Sequence, residues 1–126
     1  MIGFGLTDEQ QGIKNSVKSF REKYIEKLDL KEEYAITDRK KMFSWDLVRE
    51  ASRLGLRTAA ISPEYGGLGL DTVSLCLAVE ELSYGDLGIA VVFAQTWKIS
   101  RALERSANKE QKEKWVTAFA RIYRRL

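Results

Sequence analysis

The chain has 126 residues, the size of one ordinary domain. It contains no histidine and one cysteine, which excludes histidine-dependent catalysis and an internal disulfide and removes the commonest ligand of zinc. The net charge of +3 arises from three arginines in residues 121–126, because basic and acidic side chains balance in residues 1–120.

The sequence predicts neither a membrane span nor a secretory route. No apolar run approaches the length of a membrane span, and the opening MIGFGLTDEQQ has no basic region followed by an apolar one. A single cysteine also fits a reducing compartment. We therefore expect a protein without a membrane span, in the cytoplasm or, in a eukaryote, in the mitochondrial matrix.

The first half of the chain predicts two amphipathic helices. Thr7 and Gln10 fit a capping box that opens a helix over about 8–27. One face of this helix carries apolar residues at spacings of three and four: Ile13, Val17, Phe20 and Tyr24. After a polar stretch over 29–41, Ser44 is positioned to cap a second helix that Gly55 ends.

Three more helices are predicted in the second half. Asp71 caps a helix over about 72–84 that is apolar enough to be buried on most sides, which would make Cys76 a small buried hydrophobe. Asp86 caps the fourth helix, which we expect at the centre of the bundle. Asn108 and Gln111 form a further capping box that opens the fifth. The predicted fold class is all-α, a helical bundle of about five helices.

The stretch ISPEYGGLGL at 61–70 holds the one proline of the chain and three of its nine glycines. A phosphate-binding loop would need a Lys and a Ser or Thr after the glycines, or a preceding strand. Here Leu70 and Asp71 follow instead, and an acidic helix cap repels phosphate. The stretch therefore predicts a tight connection between two helices, not a nucleotide cradle.

Several motifs in order resemble one family. LTDEQ at 6–10, Gly55 with Leu56, the glycine-rich loop with Asp71, EEL at 80–82, YGD at 84–86 and EQKEKW at 110–115 occur at similar spacing in the N-terminal helical domain of acyl-CoA dehydrogenases. The resemblance covers about 4–120. It implies one domain over 1–120 and a basic tail over 121–126, where the middle domain of such an enzyme would begin.

The resemblance also implies an enzymatic activity. The complete enzymes oxidise an acyl-CoA between Cα and Cβ: a carboxylate base removes a proton and FAD accepts a hydride. In the family the base and most of the flavin site belong to later domains, so we expect no catalytic residue, no metal ligand and no stably bound FAD in this chain alone. Acyl-CoA and an electron-transfer flavoprotein are the implied partners of the complete enzyme.

The start of the fourth helix is the candidate site. In the family its counterpart walls the cavity for the acyl chain, which implies a substrate-binding role for Ala90, Val91, Ala94 and Gln95. Ala90 and Ala94 lie four residues apart on one face, and small side chains there leave room for a chain. Close packing of two helices needs the same pattern, and the sequence leaves both interpretations open.

Two further expectations concern the whole chain. The apolar third and fourth helices would expose an apolar patch of several hundred Å² in a lone domain and favour self-association. The arginines of 121–126 are better explained as complements to a helix C-terminus than as a nucleic-acid site. A stand-alone helical binding or scaffold module that reuses this fold is the alternative function.

Overall fold

The computed structural model describes residues 3–27 and 44–122. Helix α1, Asp8–Phe20, continues into a π-helical turn, Arg21–Ile25, which the apolar spacing did not predict. The capping box is present, since the Thr7 hydroxyl accepts from the Gln10 N–H and the Gln10 amide oxygen accepts from the Thr7 N–H, both at 3.1 Å. The local sequence therefore fixes where α1 begins.

Helix α2, Trp45–Arg53, begins at Ser44, whose hydroxyl accepts from the Leu47 N–H at 3.3 Å. The helix ends before Gly55, which adopts a left-handed φ of 78°. Two 3₁₀ turns follow, Leu56–Thr58 and Pro63–Tyr65. The polar stretch predicted over 29–41 lies outside the described residues.

The remaining helices follow in quick succession. Helix α3 is Thr72–Gly85 and helix α4 is Leu87–Ser106, with Asp86 as the single residue between them. Helix α5 starts as Lys109–Gln111, passes through a π-helical turn at Lys112–Val116 and ends as Thr117–Arg121. The described residues form helices and no strand, which confirms the predicted all-α bundle.

The core lies where α1, α3 and α4 meet. Its buried members from these helices are Val17, Phe20, Leu75, Ala78, Leu82, Ala90, Phe93 and Trp97. The expectation that α3 is buried on most sides is wrong, because Val73 is 49% exposed and Cys76 is exposed. Both side chains lie on the outer face of a helix whose inner face alone meets α1 and α4.

A buried arginine joins α1 to α3. The Arg21 guanidinium lies 3.3 Å from a Glu81 carboxylate oxygen and 4.5 Å from the centre of the Tyr84 ring, and its side chain is 6% exposed. The Lys14 ammonium adds a second cation 3.9 Å from Glu81. Removing one partner of such a pair is costly because the other charge is left buried and uncompensated.

The space for Arg21 depends on Gly85. A Cβ atom at Gly85 would lie 2.8 Å from Cγ of Arg21 and 2.9 Å from Cγ2 of Ile25, closer than carbon atoms normally approach. The last turn of α3 can lie against the π-helical turn of α1 only because this residue has no side chain.

Gly85→Ala should therefore lower the free energy of unfolding by about 1–3 kcal/mol, the usual cost of overpacking. Gly12→Ala is the matched control: Gly12 is also helical, no atom lies within 4 Å of its added Cβ, and alanine should stabilise by up to about 1 kcal/mol. Urea titration of both variants measures the two changes. Equal stability of the wild type and Gly85→Ala would contradict the packing argument.

Candidate functional site

The glycine-rich loop directs its backbone donors inward. Four successive N–H groups, of Gly67, Leu68, Gly69 and Leu70, donate to the carbonyls of Ser62, Thr58, Ile61 and Ala59 at 2.8–3.3 Å. A phosphate cradle needs free N–H groups that converge on the ligand. These four are already used, so the loop does not fit the phosphates of a flavin or of another nucleotide.

The glycines of this loop are required by its own path. A Cβ at Gly67 would lie 2.0 Å from the carbonyl oxygen of Ile61, so no other residue fits there without moving the backbone. Gly66 and Gly69 adopt positive φ values of 96° and 63°, which residues with side chains rarely take. The predicted tight connection is therefore what the structure contains.

Helix α4 holds both ends of this connection. The Trp97 indole N–H donates to the Leu56 carbonyl at 2.6 Å, and the Arg101 guanidinium donates to the Leu70 carbonyl at 2.8 Å. Between them, Glu104 accepts from the backbone N–H of Ser62 at 3.1 Å and from its hydroxyl. Trp97, Arg101 and Glu104 share one face of α4, and we name them the α4 clasp.

The sequence offered only a weak signal for the clasp. The stretch TWKISR at 96–101 contains Trp97 and Arg101, two long side chains with N–H donors. Their acceptors are backbone carbonyls 31 and 41 residues away, which no spacing rule identifies.

Asp71 ends the loop and starts α3. Its carboxylate accepts from the Ser74 N–H at 2.7 Å, and this backbone hydrogen bond is the main reason that the pKa of Asp71 lies below its ordinary value. The group is therefore negative throughout the neutral range. The repulsion of phosphate that the sequence predicted at this helix start is thus reinforced by the structure.

The four predicted site residues do not share one surface. Ala90 is 1% exposed and belongs to the core, whereas Val91 is 48% exposed to solvent. Ala94 is partly buried beside α3, and Gln95 is exposed beside α5. The side chains at 94 and 95 therefore enter two different grooves on opposite sides of α4.

The two grooves are largely apolar. The α3–α4 groove has a volume of about 490 Å³ and is lined by Thr72, Leu75, Cys76, Val79, Glu80, Ala94, Trp97, Lys98 and Arg101. The α4–α5 groove has a volume of about 450 Å³ and is lined by Ile61, Gln95, Thr96, Ile99, Ser100, Leu103, Trp115, Val116 and Phe119. Helix α4 is thus flanked by apolar space on both sides.

Helix α4 also exposes large apolar side chains. Leu87 is 68% exposed and Ile99 is 66% exposed, and Trp115 of α5 is 56% exposed next to Ile99 in the α4–α5 groove. The helix packs against α3, the Leu56–Thr58 turn and α5, as its predicted central place requires. Its outward face nevertheless presents the kind of apolar surface that interaction sites use.

Residues 3–27 and 44–122 contain neither a cluster of metal ligands nor a helix that could span a membrane. No cluster of cysteine and carboxylate side chains in this part of the chain could hold a metal ion. Within the same ranges, no helix combines the length and apolarity that a bilayer crossing requires.

Comparison with known proteins identifies the family. The model of the acyl-CoA dehydrogenase N-terminal domain matches residues 7–122. The chain belongs to the acyl-CoA dehydrogenase family, as the ordered motifs predicted. The described fold is the N-terminal domain of that family.

Acyl-CoA dehydrogenases from different organisms are similar in sequence to this chain. The probable medium-chain specific acyl-CoA dehydrogenase 2, mitochondrial, of Caenorhabditis briggsae is 30% identical over 94% of this chain and 28% of its own length. The short-chain specific acyl-CoA dehydrogenase of Clostridium acetobutylicum is 31% identical over 95% of this chain and 31% of its own length. This chain therefore spans about 30% of the length of these relatives.

Solved structures show the same correspondence. Butyryl-CoA dehydrogenase from Megasphaera elsdenii matches 94% of this chain and 31% of its own with a TM-score of 0.79 and 28% identity. A chain in a study of the electron transferring flavoprotein of Acidaminococcus fermentans matches 94% of this chain and 30% of its own, with a TM-score of 0.78 and 32% identity.

Proposed function

We propose that this domain forms part of the acyl-chain pocket in an FAD-dependent acyl-CoA dehydrogenase and that the first half of α4 is the pocket wall. The observation that carries the proposal is the exposed apolar row of Leu87 and Val91 on α4, continued by the small, partly buried Ala94. An apolar wall with a small residue is what a fatty chain needs. Ala90 contributes by letting the helix pack closely underneath.

In this proposal the domain binds and excludes water but does not catalyse. FAD, when bound to the complete enzyme, supplies the hydride acceptor. The loop amides of residues 67–70 are already donated within the loop, so the flavin phosphates are held by other parts of such an enzyme. Residues on α4 would desolvate the acyl chain and fix its position, which raises the fraction of productive encounters.

The proposal extends to compartment and electron acceptor. We assign the protein to the cytoplasm, or to the mitochondrial matrix in a eukaryote, as the composition indicates. One relative is named as mitochondrial, which is compatible with the second of these compartments. An electron-transfer flavoprotein is the proposed acceptor of the complete enzyme.

A domain that exposes this surface should self-associate. The exposed apolar side chains on α4 and α5 include Leu87, Val91, Val92, Ile99, Leu103 and Trp115. Together we expect them to present apolar surface on the order of several hundred Å², a size at which patches often serve as interaction sites. Sedimentation of the chain at micromolar concentration should show dimers or larger species, and a single monomer boundary would contradict this.

The wall can be tested in a chimera. Residues 1–120 of this chain would replace the corresponding domain of the Clostridium acetobutylicum enzyme, and flavin absorbance would show that the chimera has assembled. Ala94→Phe should then lower kcat/KM for acyl-CoA by roughly tenfold, because overpacking costs about 1–3 kcal/mol. Ala102→Phe is the matched control, since Ala102 is exposed on α4 and lines neither groove.

Two results would contradict the proposal. One is an equal effect of Ala94→Phe and Ala102→Phe on kcat/KM. The other is a flavin-loaded chimera that neither binds nor oxidises acyl-CoA, because the wall would then not belong to a substrate pocket.

A further inference from the structure

The α3–α4 groove combines an apolar floor with two cations. Leu75, Val79 and Ala94 form its apolar part, whereas Lys98 and Arg101 lie along the α4 side. Arg101 also belongs to the α4 clasp, whereas no ion pair in residues 3–27 or 44–122 uses the charge of Lys98, which a hydrocarbon chain alone would not need. A groove with an apolar floor and cations at its side is suited to a ligand that has an apolar body and an anionic group.

The charges occupy a defined place along the groove. Ala94, Lys98 and Arg101 follow one another on one side of α4 at spacings of four and three. Because Asp86 alone joins α3 to α4, the two helices run in opposite directions, and Arg101 lies beside Thr72 at the start of α3. From Ala94 to Arg101 the groove follows α4 for roughly 10 Å, about the length of an eight-carbon chain.

Both cations can receive a ligand oxygen. Lys98 is exposed, and no carboxylate in residues 3–27 or 44–122 forms an ion pair with its ammonium group. Arg101 donates one N–H to the Leu70 carbonyl at 2.8 Å and one to the Thr72 hydroxyl at 3.5 Å. A guanidinium has five N–H donors, so donors remain for a carboxylate.

The one acid of the groove lies away from this end. Glu80 follows Val79 near the end of α3, and its carboxylate is 4.0 Å from the Lys14 ammonium of α1. Its charge is thus partly compensated from outside the groove. Asp71 lies next to Thr72 at the Arg101 end, but its carboxylate already accepts from the Ser74 N–H and the Gln10 amide. Because Lys98 and Arg101 carry two positive charges against the one negative charge of Asp71, the net charge at this end is positive, which favours an anion.

We propose that the α3–α4 groove binds a linear aliphatic chain with a carboxylate at the end near Lys98 and Arg101. The inference rests on the proposed pocket wall, because Ala94 belongs to both. In a complete enzyme the matching substrate is an acyl thioester whose far end bears a carboxylate. A free fatty carboxylate presents the same chemistry and serves as the probe for the isolated chain.

The test compares octanoate with octanamide, a neutral molecule of the same shape. Calorimetry gives the dissociation constants, and ¹H–¹⁵N spectra locate binding through the Trp97 indole resonance, assigned with Trp97→Phe. We expect octanoate to bind at least about tenfold more tightly and to shift the Trp97 signal. Lys98→Gln should remove most of this preference, whereas Lys114→Gln, at an exposed position of α5, should leave it intact.

Three results would overturn the inference. They are no binding of octanoate, equal affinity for octanoate and octanamide, and an unchanged preference in Lys98→Gln. The two sources of the carboxylate are separated in the chimera by comparing suberyl-CoA with octanoyl-CoA. A chimera that oxidises only octanoyl-CoA would reject the charged substrate yet keep the pocket wall, so the two proposals fail separately.

Discussion

The α4 clasp is the interaction on which the rest of this domain depends. Three side chains on one face of α4, Trp97, Arg101 and Glu104, hold the connection that runs from Leu56 to Leu70. The indole N–H is buried, and breaking its hydrogen bond to the Leu56 carbonyl would leave it without an acceptor, which typically costs about 1–3 kcal/mol. The Leu56 carbonyl would keep its second donor, the Ala59 N–H at 3.3 Å. The clasp holds Leu70 against α4 just before the start of α3, and Arg101 contacts Thr72 on the edge of the α3–α4 groove.

The buried and the exposed apolar side chains of this domain lie on different helix faces. The inner faces of α1, α3 and α4 contribute much of the core, and the Arg21–Glu81 pair joins the π-helical turn after α1 to α3. The outer face of α4 keeps large apolar side chains in contact with water. Because each exposed apolar side chain forgoes the favourable free energy of burial, such a face is best explained by a ligand or a further domain that covers it.

The helix starts could be predicted from nearby residues, whereas the contacts between residues far apart in the chain could not. The helix starts at Asp8, Thr72 and Leu87 follow from caps within three residues, so the sequence predicts them. The prediction that Cys76 is buried was wrong. In a helix segment made almost entirely of apolar residues, the sequence does not show which residues face outward. The sequence also grouped Ala94 with Gln95, although adjacent positions on a helix point about 100° apart and enter different grooves.

Hydrogen exchange of the loop amides tests the clasp most directly. The N–H groups of Gly67, Leu68, Gly69 and Leu70 should exchange far more slowly than those of an unstructured peptide, although the loop lies at the surface. Trp97→Phe should speed their exchange while the amides in the middle of α1 stay protected. Exchange of these four amides at unprotected rates in the wild type, with α1 protected, would contradict the account.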